Sequence, residues 1–257
     1  MTSQQAFPST PPPSEAAGDT AEFPRATWSW WEAFVVYVVA QIVVAVPLVV
    51  LQLTHAVDLS DPDSGPAYVT ALYAGELAFL VTTLFWVRVV HRTPIAVLGL
   101  PRRPLRDLAV GIPAGAGLFV AGIIVSIAVG LLYEAVTGHA PPSPDQVPNA
   151  VSGVWLALTG FGVIVLAPLG EETLFRGFLY GGFRRWLAMW PAAIASGALF
   201  GLGHLQGLSF FVLVPPLWVV GIGLAVVYQK RQSLLASMAA HGTFNVIGFA
   251  FLLLSRR

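Results

Sequence analysis

The sequence predicts an all-α fold: a polytopic transmembrane helix bundle of about seven spans, with a disordered N-terminal tail. Three observations carry this reading. Of the 257 residues, 56% are hydrophobic and only 10% are charged, whereas a soluble domain carries about 25% charged residues. The mean hydropathy is +0.75. The apolar residues also gather in runs that reach, or nearly reach, the roughly 20 residues an α-helix needs to cross a bilayer. The formal net charge is zero, so nothing in the total implies a nucleic acid or another strongly charged partner. There is no cysteine. That excludes disulfides, thiolate metal sites, a cysteine nucleophile and palmitoylation.

Residues 1–27 read as a disordered cytoplasmic tail. Pro8, Pro11, Pro12, Pro13, Ser14 and Gly18 stand among few large apolar groups, and such a segment cannot bury enough surface to fold. It lacks the basic and apolar regions of a cleaved signal peptide. Residues 28–257 form the transmembrane helical domain. Trp28, Trp30 and Trp31 open the first run, which reaches about Leu53, and are expected to anchor it at the headgroup level. A polar loop with His55, Asp58, Asp61, Asp63 and Pro66 follows. The second run, about Ala67 to Val90, carries one acid, Glu76, expected to make a buried hydrogen bond.

A basic connector holds Arg88, His91, Arg92, Arg102, Arg103 and Arg106. The third run spans about Leu108 to Tyr133, and a Pro-rich loop with His139 leads to the fourth, about Val151 to Phe183, closed by Arg184 and Arg185. The fifth starts near Pro191, a residue suited to a first helical turn, and ends at His204. The sixth covers about Ser209 to Tyr228 and is closed by Lys230 and Arg231; the seventh covers about Ser233 to Leu254. His55, His91 and His139 fall in connectors and are expected to be solvated. Thr243 is expected to hydrogen-bond between helices.

Orientation follows from the cations. Those of the connectors lie after even-numbered runs, and the connectors after runs one, three and five hold no Lys or Arg. The positive-inside rule then puts the N-terminus in the cytoplasm and the C-terminus outside, and the plasma (cytoplasmic) membrane is the expected location. Arg256 and Arg257 break the pattern at the far end.

Chemistry concentrates in Pro168-Leu169-Gly170-Glu171-Glu172-Thr173-Leu174-Phe175-Arg176, at the end of a run with no charge from Val151 to Ala167. Ionisable groups at membrane depth are costly and persist where they face protein or a water-filled cavity. Counted from the cytoplasmic ends of their helices at about 1.5 Å per residue, Glu171 and His204 both lie near ~20 Å. On the same scale His241 lies near ~12 Å and Asn245 near ~18 Å. Acids, imidazoles and an amide from three helices thus converge on one level. Residues four apart share a helix face, so Glu172 can pair with Arg176. Phe200 and His204 form another such pair, as do His241 and Asn245. Glu171 points elsewhere and has no local cation, which makes it the candidate general base. Taken singly, each residue has a plainer role, since an intramembrane His often joins two helices and a Glu–Arg pair is often structural. Their coincidence on three helices points to a site.

Glu171-Glu172-x-x-x-Arg176, Phe200-x-x-x-His204 and His241-x-x-x-Asn245, in this order, resemble the motif set of the CPBP family. These are the type II CAAX prenyl endopeptidases and the bacteriocin-processing and immunity proteins related to them. The resemblance covers a core at about 151–249. It implies an intramembrane endopeptidase for a membrane-associated protein or peptide, CAAX-type lipidated chains included. Glu171 would activate a water held also by His204, His241 and Asn245 would stabilise the oxyanion, and Arg176 would hold Glu172, with Phe200 in support. The cofactor is none or zinc: Glu171, His204 and His241 are the ligands if a metal is used, and the metal-free version is preferred. The alternatives are a non-catalytic scaffold or bacteriocin-immunity protein of the same fold and, more remotely, a proton-coupled transporter.

Overall fold

The computed structural model describes residues 26–53, 65–143, 147, 151–205 and 208–256. Each apolar run winds into a helix: α1 (Trp30–Leu53), α2 (Gly65–Val90), α3 (Pro104–Thr137), α4 (Gly153–Arg184), α5 (Met189–Gly203), α6 (Ser209–Arg231) and α7 (Leu234–Ser255). Among the described residues there is no strand. α2, α3, α4, α6 and α7 are long and apolar enough to cross a membrane. α5, with 15 residues, is shorter than a span requires. Side chains such as Val120, Ile124 and Leu131 on α3 are more than half exposed. That much outward apolar surface belongs in lipid, and the chain is an integral membrane protein. The proposed tail, apart from Ala26 and Thr27, lies outside the described residues, as do His55, Asp58, Asp61, Asp63 and Arg257.

α4 is the helix the others surround. Every residue from Gly170 to Phe183 is buried, Glu171, Glu172 and Arg176 included. Its winding is uneven: Gly162–Leu166 and Thr173–Tyr180 are π-helical, a geometry that often marks functional sites. The carbonyls of Val163, Phe175 and Phe178, all within these π turns, accept hydrogen bonds from Asn245 on α7 (2.7 Å), Ser196 on α5 (2.9 Å) and Trp28 (2.8 Å). α3 packs closely along α7, where a Cβ on Gly115 would run into the Ala240 carbonyl.

The N-terminus of α1 and the connectors after α2, α4 and α6 meet at one end of the bundle. Arg185 donates to the carbonyls of Thr27 and Trp28, and the Leu234 amide donates to Gly99 O at 2.7 Å. Buried Asp107 joins the last turn of α6 to the start of α7, accepting from Arg231 at 2.8 Å and from Ser233 at 2.7 Å. Arg256, one helix length away at the other end, donates to the carbonyls of Val147 (2.6 Å) and Val151 (3.0 Å). This cation is tied to the backbone of a connector, which accounts for its departure from the charge pattern.

Three expectations are corrected. Trp28 is not a headgroup anchor: it is fully buried and stacks on Phe178 with ring centroids 4.4 Å apart. Trp30 and Trp31 are exposed. His91 is not solvated but half-buried, with Nε2 2.9 Å from Glu32 Oε1. Thr243 bonds within its own helix, to Ala239 O.

Candidate active site

The acid pair sits where α4 passes from α-helical to π-helical winding, with Glu172 the last residue before the π turns. Glu172 is fully buried, and three donors meet its two oxygens. Arg176 Nη1 (2.8 Å) and His241 Nδ1 (2.9 Å) approach Oε1, and the Ser237 hydroxyl donates to Oε2. A charge removed from water at this depth persists only with such a set of partners. Arg176, also fully buried, spends Nη2 on the Gly221 carbonyl of α6 at 3.1 Å. Its guanidinium lies 4.5 Å from the centroid of the Phe200 ring, a cation–π contact that needs no further hydrogen bond. The Glu172–Arg176 pair expected from the spacing is therefore present and has a structural surrounding.

Phe200 accounts for the spacing of its own motif. Its ring covers Arg176 and stands edge-on to His241, with centroids 5.6 Å apart. Its carbonyl lies 2.8 Å from His204 Nδ1. A carbonyl only accepts, so Nδ1 carries the hydrogen and the neutral ring leaves Nε2 with a free lone pair. His204 is the residue on which α5 ends. Its ring is thus fixed by the last turn of the helix while Nε2 projects beyond it.

The same reasoning fixes His241. Glu172, paired with Arg176, is an acceptor, so the Nδ1 of His241 carries a hydrogen and Nε2 faces the other way. Both Nε2 atoms turn to one carboxylate. His204 Nε2 is 3.8 Å from Glu171 Oε1, and His241 Nε2 is 3.7 Å from Glu171 Oε2. These gaps exceed a hydrogen bond. Glu171 Oε2 is buried and has no hydrogen-bond partner.

The structure thus brings Glu171, Glu172, Arg176, Phe200, His204 and His241 together. Asn245 lies one turn beyond His241, and its side-chain amide donates to Val163 O, holding α7 to the first π turn of α4. The three residues named as ligands if a metal is used meet here. Among the described residues, no group of three or more His, Asp or Glu is arranged to hold a metal ion.

Two residues escaped the sequence reading. Ser237 continues the four-residue stripe of His241 and Asn245 back along α7, so spacing alone could have found it. Glu76 was expected to make a buried hydrogen bond. Instead its Oε2 is buried without a partner, against α4 at Gly170. No sequence signal linked α2 to the site.

Comparison with known proteins falls on the same stretch. The model of the family described as Type II CAAX prenyl endopeptidase Rce1-like matches residues 153–247. An uncharacterized 24.3 kDa protein of Escherichia coli is 30% identical over 161 residues, which are 62% of this chain and 69% of that protein. The UPF0177 protein YxdF of Lactococcus lactis subsp. lactis (strain IL1403) is 31% identical over 84 residues, 33% of this chain and 44% of that one. No solved structure matches. The matched segment opens with α4 and closes just past Asn245, so it holds all three motifs in their order, and the chain belongs to the Rce1-like family of type II CAAX prenyl endopeptidases, a family of membrane proteases.

Proposed function

We propose that this protein is an intramembrane endopeptidase that hydrolyses a peptide bond of a membrane-associated, CAAX-type lipidated protein with a water activated by Glu171. One observation carries the reading. Two imidazoles, each with its Nδ1 hydrogen already committed, aim free Nε2 atoms at a carboxylate that has no cation of its own. Three acceptors facing one another need a donor between them, and a water supplies two O–H groups.

In this arrangement the water gives one O–H to Glu171 and the other to His204 Nε2, and its lone pair faces the scissile carbonyl. Glu171 takes a proton as the water oxygen bonds to the carbonyl carbon. The oxyanion that forms accepts from the amide hydrogen of Asn245 not used on Val163, and from His241 once its free Nε2 has taken up a proton from solvent while Nδ1–H stays on Glu172. Glu171 then returns its proton to the amine nitrogen as the C–N bond breaks, leaving a carboxylic acid and a free amine, and His241 gives its Nε2 proton back to solvent. Glu172 and Arg176 keep His241 oriented and do not touch the substrate. The orientation that suits a lipid-tethered substrate has the N-terminus in the cytoplasm, with the site opening to the inner leaflet of the plasma membrane.

The test is cleavage of an internally quenched, farnesylated peptide ending in a CAAX tetrad by purified protein in proteoliposomes. Cleavage by the wild type and its loss in Glu171→Gln are expected. Stoichiometric zinc that leaves together with activity would replace the metal-free step. A cellular phenotype unchanged in Glu171→Ala and His204→Ala at normal expression would favour a scaffold.

A further inference from the structure

Glu76 lies on α2, outside the stretch matched by the family model, and is 8% exposed. It is the residue on which α2 meets the acid segment. A Cβ on Gly170 would stand 2.5 Å from the Glu76 carbonyl oxygen and 2.9 Å from Glu76 Oε2. The backbone and the carboxyl group of Glu76 thus fill the space that any other residue at 170 would occupy, directly before Glu171. The carboxyl group of Glu76 therefore lies against the turn of α4 that carries Glu171.

Both groups have the same defect. Oε2 of Glu76 and Oε2 of Glu171 are buried, and neither has a hydrogen-bond partner. Most of the nearby donors are committed elsewhere: Nη1 and Nη2 of Arg176 to Glu172 and the Gly221 carbonyl, Ser237 to Glu172, and Nδ1 of His241 to Glu172; Nε of Arg176 is buried without a partner, like the two carboxyl oxygens. Two ionised carboxylates cannot share such a place without donors. A neutral carboxylic acid, however, is itself a donor. If Glu76 keeps its proton, one O–H answers both orphaned oxygens.

We propose that Glu76 is a positioning residue of this site. Held as a neutral acid, it donates its O–H to Glu171, directly or through one water, and fixes that carboxylate beneath His204 and His241. The role in turnover rests on the hydrolytic reading above; the pairing of the two carboxyl groups does not. A base anchored on one oxygen keeps the other aimed at the water, so the anchor acts on turnover and leaves substrate binding alone.

Two measurements on the full-length protein test this. In the farnesylated-peptide assay, Glu76→Leu is expected to lower kcat about 10- to 100-fold, the worth of one hydrogen bond to a charged group, with KM unchanged. Glu76→Gln, whose amide still donates, is expected to keep kcat within about threefold of the wild type, on the scatter of such effects. Both variants should elute and unfold like the wild type in detergent. In infrared difference spectra, a carboxylic-acid C=O band is expected in the wild type, lost in Glu76→Gln and shifted in Glu171→Gln. Unchanged kcat in Glu76→Leu, or equal loss in the Gln and Leu variants, overturns the positioning role. Absence of the band, or a band indifferent to Glu171→Gln, overturns the pairing. A wild type that does not cut the peptide, or a Glu171→Gln variant that still does, sinks the hydrolytic reading instead, and the infrared result then decides the pairing alone.

Discussion

Nδ1 of His241 lies 2.9 Å from Oε1 of Glu172, on the same oxygen that Arg176 holds at 2.8 Å. Glu172 therefore joins the acid helix to the last helix and carries its own counter-charge. Arg176→Ala leaves that carboxylate buried without its cation. Thermal unfolding in detergent should show a loss of about 3–5 kcal/mol, the cost of breaking a buried pair from one side. Arg176→Lys should recover only part of this, because an ammonium cannot serve Glu172 and the Gly221 carbonyl from one planar fork or cover Phe200 as a guanidinium does.

Glu171 has no such structural duty. Glu171→Gln should reduce peptide cleavage by about 10²- to 10⁴-fold, the usual contribution of a general base. Its unfolding transition should stay close to that of the wild type, because glutamine keeps the shape and an accepting oxygen, and the gaps from Glu171 to both imidazoles exceed a hydrogen bond. A large loss of stability in this variant would contradict the division of labour between the two acids.

Ser237 supports Glu172 on the oxygen that the imidazole does not approach. Ser237→Ala leaves Oε2 of a fully buried carboxylate without its donor, at a cost of about 1.5–3 kcal/mol. Unfolding measurements should register this, and the fall in cleavage rate should be smaller than for Glu171→Gln.

Gly170→Ala tests the approach of α2. Alanine is normally better than glycine inside a helix by about 1 kcal/mol. Here the added methyl would stand 2.5 Å from the Glu76 carbonyl, so α2 and α4 must separate. The variant should be less stable than the wild type by about 1–3 kcal/mol, as in overpacked cores, and should lose cleavage activity as well.

Trp28→Ala tests the segment before α1. The indole is fully buried on Phe178 and donates to its carbonyl. Its removal should cost about 3–5 kcal/mol. A purely interfacial tryptophan would cost far less, so unfolding of the purified variant separates the two roles.

The helices and most of the site were legible in the sequence because both obey short-range rules. Apolar runs of span length mark the helices, and a spacing of four marks the faces that carry Glu172 with Arg176, Phe200 with His204, and His241 with Asn245. What escaped depends on contacts between residues far apart in the chain. Trp28 looks like an interfacial anchor until Phe178 is seen beneath it. His91 looks solvated until Glu32 is brought to it by the first turn of α1. Glu76 has no charged residue within a turn of it on α2, and its neighbour at the site comes from α4. The π turns, too, have no periodic signature in an apolar run that would read equally well as α-helix.

Those wide turns bear on how much change the protein tolerates along α4. A π turn holds one residue more per hydrogen-bonded ring than an α turn. Deleting a single position between Thr173 and Tyr180 would take up that extra residue, so the rod could rewind to ordinary pitch and the residues within these turns would change face. Arg176 would swing off Glu172, and the carbonyls that now receive Ser196 and Trp28 would turn away from them together. The length of this segment is thereby fixed as firmly as its chemistry, and a one-residue deletion here should be as damaging as replacing an acid.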